Sequence, residues 1–218
     1  MSIALLSIII LGLQQTLVMV FFSSVFTLLF GIPLGVVLAT TVPGGIYESK
    51  QLSRLLGALV NCLRSIPFII LLVAILPLTR LLTGTTIGVW AAIVPLSVAA
   101  VPFFARIAEV SLRDVDRGLV EAVQSMGAKR WFIVLNVLLP EALPGTIRGF
   151  TITVIGLIAS SAVAGAVGAG GLGDVAIRYG YQRFDTGVTL FVVVILIALV
   201  SLIQKSGDLL SRTVNKKL

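Results

Sequence analysis

A chain of 218 residues that is 58% hydrophobic and 11% charged carries under half the charge of a soluble domain, typically about 25%. The formal net charge of +7 raises nucleic acid as a partner, but the placement of the charges, set out below, leaves nucleic acid no role. There is no His and a single Cys, Cys62, which removes the commonest metal ligand and general base and any intramolecular disulfide.

Several runs reach the roughly 20 apolar residues that cross a bilayer. Inside lipid, backbone N–H and C=O groups must be paired within the segment, which selects helix. The expected class is an all-α, polytopic membrane helix bundle of five spans, forming one domain over residues 1–218. The first 47 residues contain no charge, too long a run for one span and without a turn long enough for two. No basic residue precedes the apolar run, so the n-region of a cleaved signal peptide is not expected. Gln14-Gln15-Thr16 interrupts the run, placing the first span at 17–41. The first dozen residues are then an interfacial helix or an extension of that span. Gly31-Ile32-Pro33-Leu34-Gly35 reads as a close helix-packing pattern, with a hinge as the alternative.

The second span is expected at 57–79 and the third at 86–105. Pro67, Pro77, Pro95 and Pro102 are places where these could kink. A polar segment over 106–147 follows, then a fourth span at 148–168 and a fifth at 187–207. Thirteen of the 16 Lys and Arg fall on one side of this arrangement, including Lys216 and Lys217. Only Arg80, Arg178 and Arg183 fall on the other. The positive-inside rule makes the first side cytoplasmic, with the N-terminus outside and the C-terminus inside. Arg64 and Arg148 are expected to snorkel to the headgroups.

Within the polar segment, Leu119, Val120, Val123 and Met126 form one apolar face of a short helix. Asp114 or Asp116 can cap its start, and Gly127 is placed to end it. Trp131, Val134, Leu135 and Leu138 form a second stripe, after which Pro140 and Pro144 are expected to limit that helix and redirect the chain into the fourth span. Periodicity alone admits two interfacial helices lying on the membrane.

The full spacing says more. Glu121-Ala122-Val123, three residues, Gly127, nine residues, Val137, one residue and Leu139-Pro140 resembles the cytoplasmic signature of binding-protein-dependent ABC-importer permeases with a type I transmembrane domain. Val123 stands for a third-position Ala, and Val137 for Ile. Arg64-Ser65-Ile66-Pro67-Phe68, Leu139-Pro140-Glu141-Ala142-Leu143-Pro144-Gly145 and the glycine-rich stretch Gly165–Gly173 resemble the methionine-import permeases, over about residues 15–210.

The resemblance implies a coupling helix near 117–130 seated in a cleft of an ATP-binding subunit, with Glu121, Ala122, Gly127, Ala128, Leu139 and Pro140 at the contact. It implies two ATP-binding subunits, a soluble or lipid-anchored substrate-binding protein, a second copy of this chain and residence in the cell inner membrane. This chain would then carry no cofactor and no catalytic or metal site. It lacks the G-x-x-x-x-G-K-[ST] loop, so ATP and Mg belong on the partner. Gly168-Ala169-Gly170-Gly171-Leu172-Gly173 fits G-x-G-x-x-G, yet it follows a membrane span rather than a strand and reads as a packed corner.

No Asp or Glu falls at the centre of an expected span, and Glu109 is expected just beyond the third. Ion-coupled transport usually needs an ionisable or unwound site there. The polar groups left in the spans are the hydroxyls of Ser97, Thr151, Thr153, Ser160 and Ser161. They are candidate pathway residues, and ordinary helix packing explains each as well. An apolar passage suits a thioether amino acid and equally suits a merely permissive gate. Import of another amino acid or short peptide, or an ATP-independent membrane transporter, are the alternatives. A membrane-embedded enzyme is disfavoured, since no His, paired carboxylate or Cys–base constellation appears.

Overall fold

The computed structural model describes residues 3–215. Lys216 and Lys217, assigned above to the cytoplasmic side, lie outside the described residues. Among the described residues every regular element is helical. Four helices are long and apolar enough to cross a membrane, or five spans if a bent pair counts as one.

Helix α1 runs unbroken over Ile3–Thr40, through Pro33. At about 1.5 Å per residue its 38 residues exceed a hydrocarbon core of roughly 30 Å. The first dozen residues are therefore an extension of the first span. The expected second span is not one helix. It divides into α2 (Lys50–Ser65), α3 (Phe68–Ala74) and α4 (Leu76–Thr83), with a 103° bend between α2 and α3. Pro67 explains the break, because it has no N–H and drives the preceding residue out of the helical region. Its carbonyl restarts the chain by accepting from Ile70 and Leu71 N–H. Ile75 (φ −99°, ψ 10°) separates α3 from α4, Pro77 occupies the first turn of α4, and Gly84 (φ 74°) closes it. A left-handed residue at that position is the usual helix stop.

Helix α5 (Val89–Arg113) continues eight residues past the expected end of the third span. Helix α6 (Arg117–Ser125) is the first loop helix. The second is not separate: α7 (Arg130–Ile133) passes through a π turn, Val134–Leu138, into α8 (Leu139–Ala164). Pro140 and Pro144 do not end it. A proline ring clashes with the carbonyl four residues back, which for Pro140 is Asn136, inside the wide turn. There Leu139 N–H bonds Val134 O, one residue further back than usual. A second π turn, Gly165–Ala169, leads to α9 (Gly171–Val175) and a third, Ala176–Tyr181. Helix α10 (Thr186–Val214) is the last element among the described residues.

The contacts gather into two compact units. The first holds residues up to Phe26, Ile66–Ala100 and Val154–Gln204. Its core packs Met19, Leu96, Leu157 and Ala164, with a second cluster of Ile9, Leu172, Val175, Val188 and Val192. The other unit holds Thr27–Ser65, Val101–Thr153 and the chain from Lys205. Here Ala39, Leu112, Val115, Val134, Leu138 and Ala142 are buried together. Only 11% of the most apolar stretch of α10 is buried. Leu190, Val194 and Ile197 are exposed along it, as expected of a helix solvated by lipid.

Candidate functional site

Helix α6 is closed at both ends by its own sequence. The Asp116 carboxylate accepts from Gly118 N–H at 2.8 Å, satisfying an orphan donor of the first turn. At the other end Ala128 N–H bonds Val123 O and Gly127 N–H bonds Gln124 O. That 6→1 and 5→2 pair is a Schellman motif. It needs a left-handed residue, and Gly127 has φ +80°. A Cβ at Gly127 would meet nothing within 4 Å, so the requirement is conformational and not steric.

The apolar face of α6 is divided. Val120 and Val123 are half-buried, and Val120 packs on the Leu112–Leu138 cluster. Met126 is 84% exposed, and Leu119, Glu121 and Ala122 are exposed. One side holds the helix to its unit while the other presents a carboxylate, a small residue and a bare apolar side chain. The second stripe divides as well. Val134 and Leu138, four apart and so on one face, are buried, whereas Trp131 and Leu135 are exposed. Leu139 joins the same cluster from its edge, Ala128 is half-buried and Pro140 is exposed. A groove of about 200 Å³ runs beside α6, between Val42–Ile46 and the side chains of Arg113, Arg117, Glu121 and Gln124. Nearby, the Arg130 guanidinium lies 5.8 Å from the centre of the Tyr47 ring.

Glu109 lies within α5. It is 2% exposed and accepts from Arg106 at 2.6 Å and Arg113 at 3.3 Å. A charge this buried is held only when it is paired. The sequence signal for these pairs is opposite charges at i,i+3 and i,i+4. The Gly31/Gly35 pattern packs against the same helix. A Cβ at Gly35 would lie 2.8 Å from Ala108 Cβ, and one at Gly31 would lie 2.7 Å from the Phe104 ring. Arg148 donates to Ser211 Oγ at 2.9 Å, and that hydroxyl donates to Pro144 O at 3.1 Å. The guanidinium expected to snorkel is thus tied to α10.

The glycine corner is a packed one. Gln15 Oε1 accepts from Gly171 N–H at 2.8 Å, and Thr16 Oγ1 accepts from Leu172 N–H at 2.9 Å. Helix α1 therefore satisfies the first turn of α9, and the polar interruption Gln14-Gln15-Thr16 lies within α1 rather than ahead of it.

The five candidate pathway hydroxyls divide between the two units. Thr151 and Thr153 belong to one unit, and Ser97, Ser160 and Ser161 to the other. Ser97 donates to Ile93 O, Thr151 to Ile147 O, Thr153 to Gly149 O and Ser161 to Ile158 O, all within 2.9 Å. Each of these four is occupied with its own helix. Ser160 is half-buried.

Residues 31–218 match the family model described as "Binding-protein-dependent transport system inner membrane component". The chain belongs to this family of binding-protein-dependent permeases. The permease is 53% identical, over 93% of its length and 90% of the relative's, to a probable D-methionine transport system permease protein of Vibrio cholerae. It is 43% identical to the methionine import system permease protein of Bacillus subtilis, over 81% of its own length and 80% of the relative's. A solved structure of the MetNI methionine ABC transporter, in inward-facing conformation, superposes on the permease with a TM-score of 0.97. That match has 48% identity and covers 99% of this chain and 100% of the other. An amino acid ABC transporter at 19% identity, with a TM-score of 0.78 over 98% of this chain and 100% of the other, shares the fold.

Proposed function

We propose that this permease is the membrane-spanning subunit of an ATP-driven methionine importer of the cell inner membrane. The observation that carries the cargo is the 48% identity, over 99% of the chain, with the methionine ABC transporter at a TM-score of 0.97. The geometry of α6 supports the coupling role. It is a short rigid helix, capped at both ends, with Glu121, Ala122 and Met126 turned outward.

The working assembly pairs two copies of the permease about a two-fold axis, since oligomers favour closed symmetry. Two ATP-binding subunits receive the α6 helices from the cytoplasmic side, and a binding protein delivers methionine from outside. ATP binding closes the ATP-binding pair and draws the two α6 helices together. Because α6 is linked to α5 by three residues and to α7 by four, its displacement tilts the spans on either side, a rigid-body switch. The outer side then opens, and hydrolysis restores the inward state. The permease itself makes and breaks no covalent bond.

Glu121 offers its carboxylate to a basic residue of the ATP-binding subunit. A hydrogen bond to a charged group is worth about 1.5–3 kcal/mol, so Glu121→Lys, which reverses the charge, is expected to weaken docking more than about tenfold. Co-purification of the two subunits at graded salt checks this, and unchanged recovery of the ATP-binding subunit would count against the role. For orientation, thiols introduced by Ala128→Cys and Gln182→Cys in a Cys62→Ser background are expected to react with an impermeant reagent from opposite faces. Reaction of both from one face would overturn the five-span topology.

A further inference from the structure

One cavity of about 250 Å³ has walls from α3, α4, α5 and the Gly165–Ala169 turn. The walls are apolar and mostly small, with Leu72, Ala91, Ala92, Pro95 and Ala164 among them. One polar side chain stands deep in them. Thr79 is 2% exposed, and its Oγ1 has no hydrogen-bond partner. Its helical neighbour Thr83 donates to the carbonyl four residues back at 2.8 Å, as do Ser97, Thr151 and Thr153 elsewhere. The carbonyl at that distance from Thr79 is Ile75 O, which accepts from Thr79 N–H, while the hydroxyl stays unpaired. A buried hydroxyl without a partner is destabilising, so its retention asks for a ligand that supplies an acceptor.

We propose that this cavity seats the side chain of the cargo, taking the thioether of methionine with Thr79 Oγ–H donating to sulfur. The inference rests on the methionine reading and deepens it. The volume is below the roughly 300–1,000 Å³ of a drug-sized pocket and fits one side chain rather than a peptide. No ionisable group lines the walls. The ammonium and carboxylate of the amino acid therefore stay at the rim, where Val73, Ile87 and Val167 are exposed. Sulfur is a polarisable, weak acceptor. Norleucine, with CH₂ in place of sulfur, fills the same space and leaves Thr79 unpaired. The hydroxyl thus gives the site a basis for preferring methionine over its carbon isostere.

The test uses vesicles holding the permease with its ATP-binding subunit and binding protein, with labelled methionine and norleucine as competing substrates. Thr79→Val, which keeps the shape and removes the donor, is expected to lower the methionine-to-norleucine uptake ratio about threefold to tenfold, the worth of one modest hydrogen bond. Thr79→Ser is expected to restore the ratio. In a Cys62→Ser background, methionine is expected to slow modification of the thiol introduced by Thr79→Cys by about tenfold, a protection set by site occupancy. A ratio unchanged in Thr79→Val, equal losses in the Val and Ser variants, or a thiol that methionine does not protect would each overturn the seat while leaving the importer intact. No methionine uptake by wild type would overturn the cargo reading, and this inference with it.

Discussion

Gly173→Ala is expected to destabilise the permease strongly, although it adds one methyl group. A Cβ there would fall 2.5 Å from Ala162 Cα and 2.7 Å from its carbonyl carbon. Those are backbone atoms, so no rotamer change relieves the clash. The corner is also pinned from α1 by Gln15 and Thr16, which stops α9 from sliding away. Overpacking a filled site costs about 1–3 kcal/mol, and contact with backbone places this case at the upper end. Gly156→Ala is the control. Its Cβ meets nothing within 4 Å, and Ala exceeds Gly inside a helix by roughly 0.5–1 kcal/mol. Thermal unfolding of the two variants in detergent is expected to move in opposite directions from wild type. Equal midpoints would refute the close approach of α8 and α9.

The second large effect concerns transport. Gly127→Pro is expected to reduce ATP-dependent uptake more than tenfold, on the scale of about 1.4 kcal/mol per tenfold. Proline fixes φ near −65° and has no N–H, whereas Gly127 has φ +80° and donates to Gln124 O. The Schellman end of α6 is lost, and with it the rigid link between docking and the spans. Gly127→Asn is the informative companion, because Asn tolerates the left-handed region and no atom opposes its Cβ. It is expected to keep most of the activity. Equal loss in both variants would mean that this position acts through something other than its turn.

The α6 loop was legible in the sequence because its determinants are local. Asp116 caps, Gly127 stops, and the spacing to Leu139-Pro140 is carried by one continuous segment. Prolines were legible only as places of trouble. Helices run on through Pro33, Pro95 and Pro102, whereas Pro67 breaks its span by 103°. Neighbouring contacts decide which outcome follows, and those are tertiary. Glu109 falls past residue 105, where hydropathy ended the expected span, yet α5 carries it. The ion pairs to Arg106 and Arg113 let the helix continue two turns with a buried carboxylate. The apolar stripes of the loop were legible as faces, but not which members the fold covers: Val134 and Leu138 are buried, whereas Met126 and Trp131 are exposed. Thr79 could not be singled out at all. A threonine in a short helix gains meaning only when α3, α5 and the Gly165–Ala169 turn close around it.

ATP-driven import is tested by methionine uptake into vesicles holding the permease, the ATP-binding subunit and the binding protein. The readout compares a hydrolysis-competent with a hydrolysis-deficient ATP-binding subunit. Labelled methionine is expected to accumulate only with ATP and the competent subunit, and Gly127→Pro to lower that accumulation more than tenfold. Accumulation by the permease alone, indifferent to ATP and to Gly127, would contradict ATP-driven import.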